Sequence, residues 1–216
     1  MRAVALALWG AVLLVSSLSG RLDLLLRSAF HPLVTASGVL LLAWALQQGL
    51  QGTSPRPRLP WAWGLSSAVA LLVLAIPPNP SFSDLAANRP SEWADEASLD
   101  FVLPPAQRSL TDWVRLLRSQ PDPSLYSGDP VRISGFVLTQ ANDRPQLARL
   151  LVRCCLADAT PVGLPVQWPA GMRPKADSWL AIQGRMGVEQ HDGQSRSVVL
   201  AEQVHQIPRP PRPLEP

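Results

Sequence analysis

The first third of this chain contains very few charged residues. Only six occur up to Phe82, namely Arg2, Arg21, Asp23, Arg27, Arg56 and Arg58. Beyond that point, charges recur every few residues. So little charge is typical of helices that face lipid and not of a surface that faces water. The sequence therefore divides into an apolar N-terminal part and a water-soluble remainder.

Cysteine is also scarce, because the 216 residues include only Cys154 and Cys155. Adjacent cysteines cannot join distant segments, which excludes a disulfide framework. A large excess of basic charge is missing too, since the net charge is only +3. Nucleic-acid binding needs a basic face that neutralises several phosphates. We therefore expect no nucleic acid among the partners.

Motifs that carry catalysis are absent from the sequence. It contains no glycine-rich phosphate loop, no nucleophile elbow and no histidine-rich metal motif. We therefore expect that the protein is not an enzyme.

Three charge-free apolar runs dominate the N-terminal part. Within a membrane region of residues 1–80, they predict transmembrane helices at about residues 3–20, 32–48 and 60–77. About 20 helical residues cross a hydrocarbon core of about 30 Å. The sequence thus predicts a multi-pass protein of the cell membrane, in contact with membrane lipid. The alternative is a cleavable signal peptide in place of the first helix, which would leave two spans.

The arginines in the connections indicate an orientation. Arg2, Arg56 and Arg58 fall on one side of a three-span arrangement, and the positive-inside tendency places that side in the cytoplasm. Arg21 and Arg27, on the other side, argue against this assignment. We expect the C-terminal domain outside the cytoplasm.

The remainder is predicted to contain a linker, a helix and a β-domain. Residues 81–106 are rich in proline, alanine and serine, which is typical of a linker. In residues 107–207, Ser109 and Asp112 have the spacing of a capping box before an amphipathic helix. Five strands are then predicted, at about residues 130–139, 146–156, 162–168, from 178, and 197–207, with turns at 142–143 and 191–193. The proline-rich residues 208–216 are expected to be a disordered tail.

Five short strands within about 80 residues predict a small closed barrel, and an OB-like fold is favoured over a two-sheet sandwich. The predicted fold class is α+β, with three N-terminal transmembrane helices followed by this five-stranded OB-like β-barrel.

Three segments carry a family resemblance. They read GDPVRISGFV at residues 128–137, VRCCLADA at 152–159 and PVGLPV at 161–166. With the pair His31 and Pro32 before the second apolar run, they resemble the YcgQ-like family of bacterial membrane proteins, which are classed as permease subunits although their function is unknown. The resemblance implies a non-enzymatic accessory subunit of a two-component permease, with a larger polytopic permease subunit as its partner.

Cys154, Cys155 and Asp158 are the candidate metal ligands, with His31 as a further candidate. Thiolate, carboxylate and imidazole groups bind soft metal ions such as zinc. The alternative function is therefore a membrane-tethered metal-binding or thiol redox module.

Each candidate ligand also has a structural interpretation. On a strand, adjacent side chains point to opposite faces, so one cysteine would pack in the barrel core and the other would lie on its outer face. Asp158 fits a turn that accepts backbone hydrogen bonds. His31 fits the water-facing boundary of a membrane helix.

Overall fold

The computed structural model describes residues 2–51, 60–76, 78–89, 103–139, 144–191 and 193–215. The chain forms two compact units. The first comprises Met1–Asn79 and Arg153–Ala157, and the second comprises Pro80–Val152 and Asp158–Pro216. Some predicted features lie outside the described residues, namely Arg56, Arg58, residues 90–102 of the linker, and the turn residues 142–143 and 192.

Three apolar helices form the first unit. They are α1 (Arg2–Leu18), α2 (His31–Gln51) and α3 (Pro60–Ala75). Among the described residues, Ser28–Gln51 is the one helical stretch long and apolar enough to cross a membrane. The structure thus shows one candidate span where the sequence predicted three.

The lengths of α1 and α3 explain why these two helices are not candidate spans in the structure. α1 has 17 residues and α3 has 16, fewer than the roughly 20 that a hydrocarbon core requires. α1 ends early because Gly20 adopts a left-handed conformation with φ of 73°, which an α-helix cannot continue.

α1 packs against both α2 and α3. Gly10 and Gly38 bring the backbones of α1 and α2 close together. A Cβ atom on Gly10 would lie 2.8 Å from Leu42 Cγ, and one on Gly38 would lie 3.0 Å from Leu14 Cγ. Larger side chains at these two positions would therefore push the helices apart.

The residues between α1 and α2 form the connector, which we define as residues 19–30. It contains two short 3-10 turns, Arg21–Leu24 and Ser28–Phe30. Arg21 Nη1 donates to the carbonyl oxygens of Val73 at 3.4 Å and Leu74 at 3.2 Å. These carbonyls belong to the last turn of α3, where a helix leaves its C=O groups without intrahelical partners.

The second unit is built around a closed five-stranded β-barrel. Its strands are β1 (Pro130–Leu138), β2 (Gln146–Leu151), β3 (Thr160–Gln167), β4 (Trp179–His191) and β5 (Gln194–Gln206). β1 pairs with β2 and β4, β2 with β3, and β4 with β5, all antiparallel, while the β3–β5 pair is parallel. The predicted α+β class with a β-barrel is confirmed.

The helix α5 (Leu110–Ser119) precedes the barrel and closes its core. Ser109 and Asp112 form both hydrogen bonds of a capping box, as predicted. Trp113 is fully buried and packs with core residues of the barrel strands such as Val131 and Leu164.

A short helix lies in the segment expected to be a linker. α4 (Phe82–Ala87) buries Phe82 completely, with ring centroids 5.7 Å from Phe136 and 6.0 Å from Trp179. Asp177 Oδ1 accepts hydrogen bonds from the N–H groups of Phe82 and Ser83 at 2.9 Å and 3.1 Å. The barrel unit therefore begins at Pro80, one residue before the predicted linker, and includes α4.

The C-terminal residues also differ from the expected disordered tail. A short strand, β6 (Leu214–Glu215), pairs in parallel with Leu150 and Leu151 of β2. Upstream, Arg209 stacks 4.8 Å from the Phe82 ring centroid and donates to the Pro80 carbonyl oxygen at 3.2 Å. These contacts keep the proline-rich segment on the barrel unit.

Candidate metal centre

The candidate ligands lie in a short segment between β2 and β3, residues 153–158, which we name the thiol segment. β2 ends at Leu151, although the sequence predicted a strand to about residue 156. The N–H of the next residue, Val152, donates to the Glu215 carbonyl oxygen at 2.8 Å. The chain then bends and forms a 3-10 turn at Leu156–Asp158.

This change of backbone alters the relation between the cysteines. The prediction that they point to opposite faces of a strand is wrong, because Cys154 Sγ and Cys155 Sγ lie 3.5 Å apart. A disulfide bond would bring the sulfur atoms to about 2.05 Å, so both residues are thiols in this structure. The bend at Arg153 and Cys154 turns both side chains to the same side.

Asp158 completes a set of three ligand groups. One ligand atom from each of Cys154, Cys155 and Asp158 lies within 4.8 Å of the other two. The 3-10 turn brings the carboxylate back toward the thiols. Cys154 is exposed, whereas Cys155 and Asp158 are half-buried. The set is therefore accessible from solvent.

The spacing of the sulfur atoms suits one metal ion. With zinc–sulfur bonds of about 2.3 Å, two thiolates on a tetrahedral ion lie about 3.8 Å apart, and two on opposite sides of an ion lie about 4.6 Å apart. The observed 3.5 Å is close to the tetrahedral separation. Two sulfur ligands and one carboxylate favour a soft or borderline ion such as zinc over magnesium or calcium.

The connector holds the backbone of the thiol segment. The N–H of Arg27 donates to the Cys154 carbonyl oxygen at 3.0 Å, and the N–H of Leu156 donates to the Leu25 carbonyl oxygen at 2.7 Å. Between these two hydrogen bonds, Leu26 and Cys155 form an isolated antiparallel β-bridge. Backbone groups on both sides of the two cysteines are thus fixed.

His31 is not part of the three-ligand set. It begins α2, and its Nε2 atom lies 3.4 Å from the Leu26 carbonyl oxygen. The structure therefore brings together three of the four predicted ligands, and places the fourth beside the connector residue that bridges to Cys155.

Sequence reasoning missed the connector residues Leu25, Leu26 and Arg27. They act on the thiol segment through backbone N–H and C=O groups, which every residue except proline carries. The residue types at these positions therefore do not predict this contact.

The comparisons with known proteins concern mainly the second unit. A family model described as the DUF1980 C-terminal domain matches residues 106–214, just over half of the chain. The chain belongs to this family. The DUF1980 match includes α5, all five barrel strands and the thiol segment. It is consistent with the resemblance to the YcgQ-like family. No curated protein and no solved structure matches this DUF1980 chain.

Proposed function

We propose that this DUF1980 protein is a non-enzymatic, membrane-anchored accessory subunit that holds a soft divalent metal ion such as zinc. Cys154, Cys155 and Asp158 are the proposed ligands. The observation that carries the proposal is the 3.5 Å separation of the two sulfur atoms, with a carboxylate in the same group.

The exposure of the site supports reversible binding. Structural zinc sites use four protein ligands, whereas sites that act on or exchange a ligand keep a position open. Three ligand groups within five consecutive residues, one of them exposed, leave room for a further ligand from solvent or a partner. An ion held in this way remains accessible for transfer.

Zinc binding to the full-length protein in mild detergent tests the proposal. We expect Cys154→Ser and Cys155→Ser to weaken binding by at least about tenfold, because the hydroxyl group is a poor substitute for a thiolate. Asp158→Asn should weaken it less. Glu202→Gln, which alters an exposed acidic residue on β5, is the control and should bind as the wild type does. Wild-type protein that fails to compete with a micromolar zinc indicator would overturn the proposal.

We further propose that all three helices span the membrane, and that the bilayer thins locally around the shorter helices α1 and α3. Transmembrane helices pack through small residues and interhelical hydrogen bonds, and α1 does both. Gly10 lies at its crossing with α2. Ser17 Oγ lies 2.7 Å from Thr35 Oγ1 on α2, and Trp9 Nε1 donates to Ser66 Oγ on α3 at 3.0 Å. Because α1 contacts both of its neighbouring helices, we propose that it remains part of the protein and is not cleaved as a signal peptide.

The apolar surface of the helices supports association with lipid and a second subunit. Leu40 of α2 is 69% exposed and Leu72 of α3 is 58% exposed, together with most of the large apolar side chains of these helices. A transport path needs buried polar groups, and these outer faces are apolar. The proposed partner is therefore a larger polytopic permease subunit, as the YcgQ-like resemblance implies.

Purification from membranes tests the partnership. In a mild detergent, we expect the tagged chain to retain a polytopic membrane protein in a fixed ratio, and to lose it in a harsher detergent. Recovery of the chain alone under both conditions would contradict the permease proposal and leave the metal proposal intact.

We also propose that the barrel is OB-like. Its strands close in the order β1–β2–β3–β5–β4–β1 with only the β3–β5 pair parallel, which is the pairing of an OB-fold. The preceding helix α5 closes the core of this barrel. A solved structure with a different strand order would contradict this assignment.

A further inference from the structure

We infer that the connector between α1 and α2 is a positioning element of the metal site, so that metal occupancy and the conformation of the connector are coupled. The inference rests on the proposed metal-binding function. It adds that the connector, which is distant in sequence but lies in the same compact unit as the two cysteines, sets the geometry of the thiols.

Backbone contacts with the connector lie at both cysteines and at the residue that follows them. The Cys154 carbonyl oxygen accepts from the Arg27 N–H, Cys155 bridges to Leu26, and the Leu156 N–H donates to the Leu25 carbonyl oxygen. The thiol segment has no regular secondary structure until the turn at Leu156. The connector therefore supplies the pairing that a neighbouring strand would supply within a sheet.

The connector is in turn attached to the helices. Arg21 Nη1 donates to the last carbonyl oxygens of α3, and His31 Nε2 at the start of α2 lies 3.4 Å from the Leu26 carbonyl oxygen. A change at the thiol segment thus acts on residues that are fixed to the ends of α2 and α3. Coupling free energies are reciprocal. If metal binding stabilises one conformation of the connector by a given factor, stabilising that conformation raises the metal affinity by the same factor.

Arg27 offers a test that removes a single hydrogen bond. Its side chain is exposed and its backbone φ is −62°, the value that proline adopts. Leu26 lies in a β-bridge, and the residue before a proline favours an extended conformation. Arg27→Pro therefore fits the backbone and removes the N–H that binds Cys154, while Arg27→Ala removes the side chain and keeps the N–H.

Zinc affinity of the two full-length variants in detergent is the first measurement. We expect Arg27→Ala to bind within about twofold of the wild type and Arg27→Pro to bind about threefold to tenfold more weakly, since one hydrogen bond that orders the ligands is lost. Equal zinc affinities of the two variants would overturn the inference. Absence of zinc binding by the wild type would instead refute the proposed function.

Hydrogen exchange of the wild-type protein is the second measurement, and it does not depend on folding of the proline variant. We expect added zinc to slow exchange at the amides of Arg27 and Leu156 by about threefold or more, because occupancy stabilises the closed thiol segment. Cys154→Ser should show no such slowing. Unchanged exchange at both amides in zinc-saturated wild-type protein would also overturn the inference.

Discussion

Arg149 is a cation held inside the barrel unit, four residues before the thiol segment. Its Nε and Nη2 atoms donate to the carbonyl and hydroxyl oxygens of Ser134, each at 2.8 Å, and its guanidinium lies 5.0 Å from the Trp179 ring centroid. Burial lowers the pKa of Arg149, and the negative charge of Glu215 opposes this shift. The negative charge of Glu215 on the C-terminal strand β6 therefore stabilises the charged form of Arg149.

Removal of that negative charge should destabilise the barrel. Glu215→Gln keeps the shape and an oxygen acceptor for Thr111 but leaves Arg149 without its ion-pair partner at 3.4 Å. We expect a loss of about 1–3 kcal/mol in the free energy of unfolding, because the Arg149 side chain is only 12% exposed. Urea unfolding of the full chain in detergent, followed by tryptophan emission, measures the loss.

An exposed ion pair provides the matched control for Glu215→Gln. Arg185 and Glu202 lie 3.3 Å apart with side chains 66% and 60% exposed. Glu202→Gln should change the free energy of unfolding by less than about 1 kcal/mol, since exposed pairs contribute little. Equal effects of the two substitutions would show that Arg149 does not need Glu215.

The candidate ligands could be predicted from the sequence, but their arrangement could not. Cys154 and Cys155 stand out because thiols are rare in the chain, and Asp158 stands out because it carries a ligand group close to them in sequence. Their geometry depends on where β2 ends, and its pairing with β3 stops at Leu151, opposite Thr160. The expected alternation of side chains failed at this point because the chain bends at residues 153 and 154 instead of continuing as a paired strand.

At the scale of elements, the close crossing of α1 and α2 depends on two glycines. A Cβ atom on Gly10 would meet Leu42 Cγ at 2.8 Å and the Gly38 carbonyl oxygen at 3.0 Å. In the proposed lipid environment, where no hydrophobic force drives helices together, such close approach contributes to the association of the helices. A larger residue at Gly10 should therefore separate the helices.

Gly10→Val should destabilise the helical unit by about 1–3 kcal/mol, because overpacking forces backbone shifts. Gly49→Val is the matched control, since a Cβ atom at Gly49 on α2 would have no neighbour within 4 Å. Thermal unfolding in detergent, followed by helical circular dichroism, compares the two. A control variant that unfolds at the same temperature as Gly10→Val would argue against a tight crossing.

Elements set by local signals were predicted well, and those set by distant contacts were not. The helix α5 follows from the spacing of Ser109 and Asp112 and from its apolar face, all within one segment. α4 lies in a stretch with the composition of a linker, and its place is fixed by hydrogen bonds that its N–H groups donate to Asp177, more than 90 residues later. Composition alone cannot show such a partner.

At the scale of the whole molecule, the contacts within the helical unit define which ends share a side. Arg21, after the end of α1, donates to carbonyl oxygens in the last turn of α3, and Trp9 of α1 donates to Ser66 of α3. α1 and α3 are therefore parallel. In a membrane, the start of α1, the end of α2 and the start of α3 would then face one side, and the connector would face the other.

This arrangement makes the orientation expected from the sequence testable. Arg2, Arg56 and Arg58 belong to the side that the positive-inside tendency assigns to the cytoplasm, and Arg21 and Arg27 belong to the opposite side. Alkaline phosphatase, which is active only outside the cytoplasm, should be active when fused after Glu215 and inactive when fused at Pro55.

Substitution of the arginines between the helices should change the phosphatase activity of the fusions. Arg56→Glu with Arg58→Glu removes most of the basic bias and should reduce phosphatase activity of the fusion after Glu215, whereas Arg21→Glu with Arg27→Glu should leave it unchanged or raise it. A wild-type fusion that is active at Pro55 and inactive after Glu215 would place the thiols in the cytoplasm. The metal site would then draw on the cytoplasmic pool, where reducing conditions keep adjacent cysteines as thiols. The expectation that the C-terminal domain lies outside the cytoplasm would be wrong, while the geometry of the site would stand.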